Sequence, residues 1–306
     1  MLQRAVASVM RQTFQGWEMC IVDDGSEQDV AGYLQGITDP RIQWVRNETP
    51  VGPAAARNQG ILATRGEFVA FLDADDEWEA NKLEAQMPSI RDDSKVALSY
   101  TNYSKRLGEQ PPQSNVLEKY AHVCEGQVFE ELLKENFINT SSVIVRRPFV
   151  AKSGLFDAQL RYAEDYDLWL RLSRVGEFRY VPLDLCLYRF HDANSVLSYG
   201  YATKLAPMLE LVIAKHSDFE PARRYFRKQL GKAWMTRAWA AWEADEFICA
   251  RSAFLKAAKY GHRSRQATFR VLCAVLPEVL LKRIVHFARG RRQRREPQAQ
   301  FDNGRP

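Results

Sequence analysis

The chain is predicted to fold as an open α/β sheet flanked by helices, followed by an all-helical extension. Three observations point there. Short apolar runs alternate with helix-period segments over roughly the first two thirds of the chain. Two of those runs, EMCIV and EFVAFL, end in clusters of acids, as strands do where a sheet opens onto a ligand. From about residue 200 the strand-like runs cease and only helical periodicity remains.

The elements follow in order. Leu2, Val6, Val9, Met10 and Phe14 share one face of an opening amphipathic helix that has no cap before it. Residues 19 to 22 read as a buried strand running into Asp23-Asp24-Gly25-Ser26. A helix over 28 to 36 and a strand over 42 to 46 come next, then a loop and a helix with Pro53 in its first turn. EFVAFL is a strand ending at Asp73; 79 to 90 is helical and 96 to 101 a further strand. Residues 104 to 117, polar and Pro-rich, are expected to form a mobile loop. A helix over 125 to 138, a strand at SSVIVRR, a helix over 163 to 176 and short closing strands in FRYVPLDLCLYRFH complete this part. Beyond it, Trp234, Ala238, Ala241 and Trp242 make one apolar stripe and Phe247, Ala250, Phe254 and Ala257 another, the pattern of an antiparallel helix pair. Residues 266 to 289 are a third helix, interrupted at Pro277. The expected division is an α/β domain over 1 to 198, a helical extension over 199 to 290 and a basic, polar, disordered tail over 291 to 306.

Composition narrows the class. Hydrophobic residues at 46% and charged residues at 26% are ordinary for a soluble domain of 306 residues. The net charge of +5 is mild and its basic residues crowd between Lys282 and Arg295, which argues against a nucleic-acid partner. The stretch 266 to 295 reads either as a core helix with a solvated tail or as a peripheral contact with an anionic membrane. Five cysteines without CxxC spacing exclude a zinc site or a disulfide framework and fit a reducing compartment. With no apolar run of the ~18 residues that a span needs and no signal-peptide core, a cytoplasmic location is expected, or the inner membrane face.

Four constellations carry chemistry. In Asp73-Ala-Asp75-Asp76 the strand end would expose two carboxylates to a hard divalent ion, Mn²⁺ or Mg²⁺, that also holds a diphosphate; helix capping is the alternative. Asp23 and Asp24, beside a turn glycine, could accept hydrogen bonds from a base or ribose, or could simply shape the turn. Glu164-Asp165 at a helix start could take a proton from an attacking hydroxyl, with Tyr166 and Trp169 stacking on a sugar; the alternative is helix-start acids and core aromatics. Arg57 and Asn58 offer a phosphate or base contact, and His191 a further ligand, although a lone histidine is more often structural.

Taken in order, SVMRQTFQGWEMCIVDDGS, GPAAARNQGILATRGEFVAFLDADDEW, INTSSVIVRRPF, GLFDAQLRYAEDYDLWLRL and LCLYRFHDANSV resemble the family-2 group of inverting glycosyltransferases with the GT-A fold, over residues 1 to about 195. That resemblance implies a hexosyltransferase-type enzyme that moves a sugar from a nucleoside-diphosphate donor to a glycan or lipid-linked acceptor. It implies that Asp24 contacts the base, uracil for preference, and that Asp23, Arg57 and Asn58 line the nucleotide pocket. Asp73 and Asp75 would serve the ribose, metal and diphosphate, Asp165 with Glu164 would supply the base, and His191 would be a further metal or phosphate contact. No QxxRW segment follows Glu164-Asp165, which disfavours a processive synthase. Family members open with a strand of the type VSVIIPTYN ahead of the first helix, and this sequence starts inside that helix, so the expectation is a start placed too late. Two other readings stay open: a non-catalytic nucleotide-binding relic, and a sugar-phosphate nucleotidyltransferase.

Overall fold

Helix α1 (Leu2–Met10) forms where the apolar spacing predicts it, with Ala5, Val6 and Val9 buried on one face. Strand β1 (Met19–Asp23), helix α2 (Val30–Gln35) and strand β2 (Ile42–Arg46) make a right-sized crossover between two parallel strands, in register from Met19 opposite Ile42 to Asp23 opposite Arg46. Val6, Ile21 and Leu34 close the small core that holds α1 and α2 against them. Helix α3 (Pro53–Ala63) starts at the proline, whose fixed φ and missing N–H suit the first helical position. Gly52 supplies the positive φ of 94° just before it. The computed structural model describes residues 1–26, 30–118, 125–190, 199–216, 218 and 220–262.

The main sheet has five strands in the order β3-β6-β5-β7-β4: β3 (Phe68–Ala70), β4 (Glu77–Trp78), β5 (Val96–Leu107), β6 (Val143–Arg146) and β7 (Glu177–Phe190). Only β5 and β7 run parallel; the other three pairings are antiparallel, so the sheet is mixed. The first seven residues of β5 and all four of β6 are buried, because helices α4 (Lys82–Arg91), α5 (Phe129–Lys134), α6 (Arg147–Ser153) and α7 (Glu164–Ser173) cover the sheet.

Two expectations change here. The strand over 96 to 101 continues to Leu107, and the polar segment after it is not a free loop: Lys105 and Gln113 exchange both backbone hydrogen bonds, at 2.8 and 2.7 Å. Asn102 Oδ1 accepts the Leu117 N–H, and Asp184 Oδ2 accepts the Asn115 N–H, pinning the returning chain. The supposed short closing strands are one 14-residue strand, β7, which supplies the partner that polar β5 residues lack in sequence. Tertiary pairing overrides local propensity at both places.

Between β1 and β3 lies an apolar cavity of about 860 Å³, lined among others by Val6, Val9, Ile21, Ile61, Val69 and Ile144, and reaching Asp73. Among the described residues neither strand is paired on the side that borders it.

The chain divides into two units, Met1–Gln229 and Leu230–Pro306, and the division falls within α9 (Glu220–Glu243). Helix α8 (Tyr199–Lys215) lies in the first unit, whereas the α/β domain was expected to end at 198. In the second unit the two expected stripes meet: Trp242 packs on Phe247 and Trp239 on Phe254, at 5.0 and 5.4 Å between ring centroids, with α10 (Phe247–Lys259). The proposed helix over 266 to 289, its membrane contact and the tail lie outside the described residues. Among the described residues no helix is long and apolar enough to cross a membrane.

Candidate active site

One arginine joins the first acid after β3 to the first acid of α7. Arg57, on the second turn of α3, donates from Nη2 to Asp73 Oδ1 at 2.8 Å and from Nη1 to Glu164 Oε1 at 2.5 Å. Burial works against the guanidinium charge, but Asp73 and Glu164 outweigh it and hold Arg57 charged. Its planar fork suits this double contact, which an ammonium could not make.

Asp165 sits beside that pair. Its Oδ1 accepts the Tyr166 N–H at 2.7 Å and its Oδ2 accepts the Thr140 hydroxyl at 3.1 Å. Both Glu164 and Asp165 are pushed above the usual carboxylate range, by burial first, with Arg57 pulling each back. The residue before them, Ala163, takes a left-handed φ of 61°, which turns the helix start and aims the acids.

The Asp73–Asp76 turn is held from behind. Ser141 Oγ accepts the Asp73 N–H at 3.1 Å and donates to Asp76 Oδ2 at 2.5 Å, while the Arg189 N–H reaches Asp76 Oδ1 at 3.1 Å. Asp76 is therefore a buried anchor of the turn, and burial together with the Asp73 and Asp75 charges pushes it up to about 8. Asp73 and Asp75 remain partly exposed. Among the described residues no three His, Cys, Asp or Glu side chains converge on one point. Two hard carboxylates on a turn nevertheless fit a Mg²⁺ or Mn²⁺ ion that completes its shell with phosphate oxygens and water.

Other expected residues do different work. Asp24 is fully engaged: Oδ1 accepts the Asn47 side chain and the Val51 N–H, and Oδ2 accepts the Gly52 N–H, all at 2.8 Å. Burial pushes its carboxyl up, but these bonds win and hold it below the usual range. Asp23 is buried, accepting the Ser26 N–H and facing Arg46 at 3.4 Å. Asn58 spends its amide on the Phe156 backbone, donating at 2.8 Å and accepting at 2.9 Å, so it locks the loop before α7 instead of facing a pocket.

Tyr166 and Trp169 need correction as acceptor platforms. Trp169 is fully buried against Phe71 and Phe156, at 6.4 and 6.3 Å between ring centroids. The Tyr166 hydroxyl donates to the Leu132 carbonyl and accepts from Gln229, deep in the core. Their positions on α7 turn them inward, away from any sugar. His191 lies outside the described residues. Two residues of this site escaped the sequence reading: Thr140 and Ser141. The only local signal for the hydroxyl pair is Asn139 two residues before Ser141, an Asx-turn spacing.

A family model described as "Glycosyl transferase family 2" matches residues 1–153. The chain is 32% identical over 199 residues to the "Putative teichuronic acid biosynthesis glycosyltransferase TuaG" of Bacillus subtilis (strain 168), covering 64% of this chain and 76% of that protein. It is 28% identical over 299 residues to the "Putative colanic acid biosynthesis glycosyl transferase WcaA" of Escherichia coli (strain K12), covering 94% and 92%. Among solved structures, S. aureus TarS 1-349 in complex with UDP is similar with a TM-score of 0.58 at 14% identity, covering 89% of this chain and 86% of that one. The mannosyltransferase PcManGT from Pyrobaculum calidifontis, in complex with GDP-Man and Mn²⁺, is similar with a TM-score of 0.57 at 16% identity, covering 90% and 75%. At these identities the two structures speak for the fold.

Proposed function

The chain belongs to glycosyl transferase family 2, and from that premise we propose that it transfers one sugar, with inversion, from a UDP-sugar to an acceptor hydroxyl during assembly of a cell-surface polysaccharide. The observation that carries this reading is Arg57, which brings the acids after β3 and the acids opening α7 to one place. The acceptor is a glycan or a lipid-linked saccharide, in keeping with the teichuronic and colanic acid relatives.

In this mechanism Asp165 receives the proton of the acceptor hydroxyl as its oxygen attacks the anomeric carbon in line with the departing diphosphate. Thr140 and the Tyr166 N–H hold the Asp165 carboxylate in one orientation for that transfer. Glu164 is tied to Arg57, and burial first, then the charge of Asp73, sustain the basicity of Asp165. Asp73 and Asp75 would hold Mg²⁺ or Mn²⁺, which when bound stabilises negative charge on the diphosphate. Asp24 shapes the loop from Asn47 to Gly52 that borders the nucleotide.

Calorimetric titration of UDP with and without Mn²⁺ tests the reading. Wild type is expected to bind UDP only with the metal, and Asp75→Ala to lose that binding; metal-independent binding, or binding that survives the substitution, would remove Asp75 from the site. A second expectation concerns pH. Asp165 must be ionised to act, and burial holds it above the ordinary aspartate value of 3.8, so turnover should rise with pH along a limb displaced upward from that value. A limb at the ordinary aspartate value would exclude a buried base.

A further inference from the structure

One 3-10 turn touches both acidic motifs. Thr140–Ser142 is buried and capped by Asn139, whose Oδ1 accepts the Ser141 N–H at 2.9 Å. The Ser142 hydroxyl donates back to the Asn139 carbonyl at 2.7 Å. Two further contacts grip its carbonyls: the Trp78 indole donates to Ser141 O at 2.7 Å, and Gln86 Nε2 donates to Ser142 O at 3.0 Å. The turn then runs directly into β6, the fully buried strand between β3 and β5. These bonds tie the turn to α4, to β4 and to its own cap, so its two leading side chains sit on a supported base.

Those side chains diverge to different partners. The Thr140 hydroxyl donates to Asp165 Oδ2. The Ser141 hydroxyl is used twice, accepting the Asp73 N–H and donating to Asp76 Oδ2. Ser141 thus joins the first and last residues of the Asp73–Asp76 turn, and the Arg189 N–H on β7 holds Asp76 from the other side. Asp75 lies in sequence between the two anchored positions.

We propose that Thr140 and Ser141 are positioning residues that set the separation between base and diphosphate site: Ser141 fixes the turn that presents Asp73 and Asp75, and Thr140 fixes the carboxylate of Asp165. The inference rests on the glycosyltransfer reading above for its chemical meaning, and on the hydrogen bonds alone for its structural claim. Adjacent residues on one rigid turn are a compact way to hold two motifs in register, since any shift of the turn carries both together.

The test uses the full chain with Ser141→Ala, Thr140→Val and Thr140→Ser, of which only Thr140→Val adds volume, a methyl in place of the hydroxyl. Hydrogen–deuterium exchange is expected to quicken over 73 to 79 in Ser141→Ala and over 164 to 168 in Thr140→Val, with each variant leaving the other segment unchanged. Calorimetry with UDP and Mn²⁺ should show the Ser141 variant bound on the order of tenfold more weakly and the Thr140 variant bound as wild type, the range that loss of a supporting hydrogen bond produces. In release of UDP from UDP-glucose, Ser141→Ala should raise KM, and Thr140→Val should lower kcat roughly tenfold with KM unchanged. Thr140→Ser, which keeps the hydroxyl, should restore kcat. Unchanged exchange in both segments overturns the clamp, as does a loss in Thr140→Val that Thr140→Ser fails to restore. Wild type that neither binds UDP with Mn²⁺ nor releases it overturns the functional reading alone, and exchange then still decides whether the two hydroxyls hold the two motifs.

Discussion

Asp165→Asn is expected to lower turnover by roughly 10²- to 10⁴-fold, the contribution of a positioned general base, while the protein melts no lower than wild type. The asparagine Oδ1 can still accept the Tyr166 N–H, so that bond in the first turn of α7 is kept. What disappears is a charge that burial disfavours, since Asp165 is held above its ordinary range before any acceptor arrives. A group kept ionisable at a cost to the fold and needed for turnover is the usual trade between stability and activity. Paired measurements of UDP release and thermal unfolding decide the matter. Turnover within threefold of wild type would remove Asp165 as the base. A lowered melting temperature with full loss of turnover would instead mark it as a structural acid.

Arg57→Ala should be the most damaging single change near the site, costing about 3 kcal/mol, the lower end for breaking a buried ion pair because Asp73 is 39% exposed. Without the guanidinium, Glu164 and Asp165 lose the cation that offsets the charges of both. The sign of the pH dependence follows. A carboxyl whose pKa is raised in the folded state weakens the fold as pH climbs from its ordinary value, 4.5 for Glu164, through the raised one. Removing Arg57 raises it further, so the deficit should be largest near neutrality and shrink as the acids are protonated. Urea unfolding of wild type and variant at two pH values reads this directly; an equal deficit at both would mean that lost packing on Phe156, not charge, is responsible. Arg57→Lys should recover only part of the stability, because a single ammonium cannot bridge Asp73 and Glu164 with the same geometry.

Some of the site was legible because its chemistry follows from local order. Acids at a strand end or a helix start are visible in local order, so Asp73, Asp75 and Asp165 could be picked out from apolar runs and helix starts. Other roles could not be read. Asp24 looked like a ligand contact, yet the backbone of Val51 and Gly52 reaches both its oxygens from a loop whose path no local pattern encodes. Trp169 and Tyr166 stand in the same decapeptide as the acids, and only the packing of Phe71, Phe156 and Leu132 around them decides that they turn inward. The polar run after Leu107 carried every sign of a free loop and still found ladder partners in Gln113 and β7.

By itself the sequence determined the class of fold, the order of its main elements and the acids that can act, because hydrophobic period and strand-end chemistry are local properties of the chain. Only the tertiary structure decided which acids meet Arg57 and which accept backbone N–H groups of a neighbouring loop. Arg57 meets Asp73 and Glu164, and Thr140 and Ser141 reach Asp165 and Asp76, across separations along the chain that no spacing rule spans. Those contacts exist because the end of β3, the turn leading into β6 and the start of α7 come together, and burial then raises Glu164 and Asp165 above the usual carboxylate range.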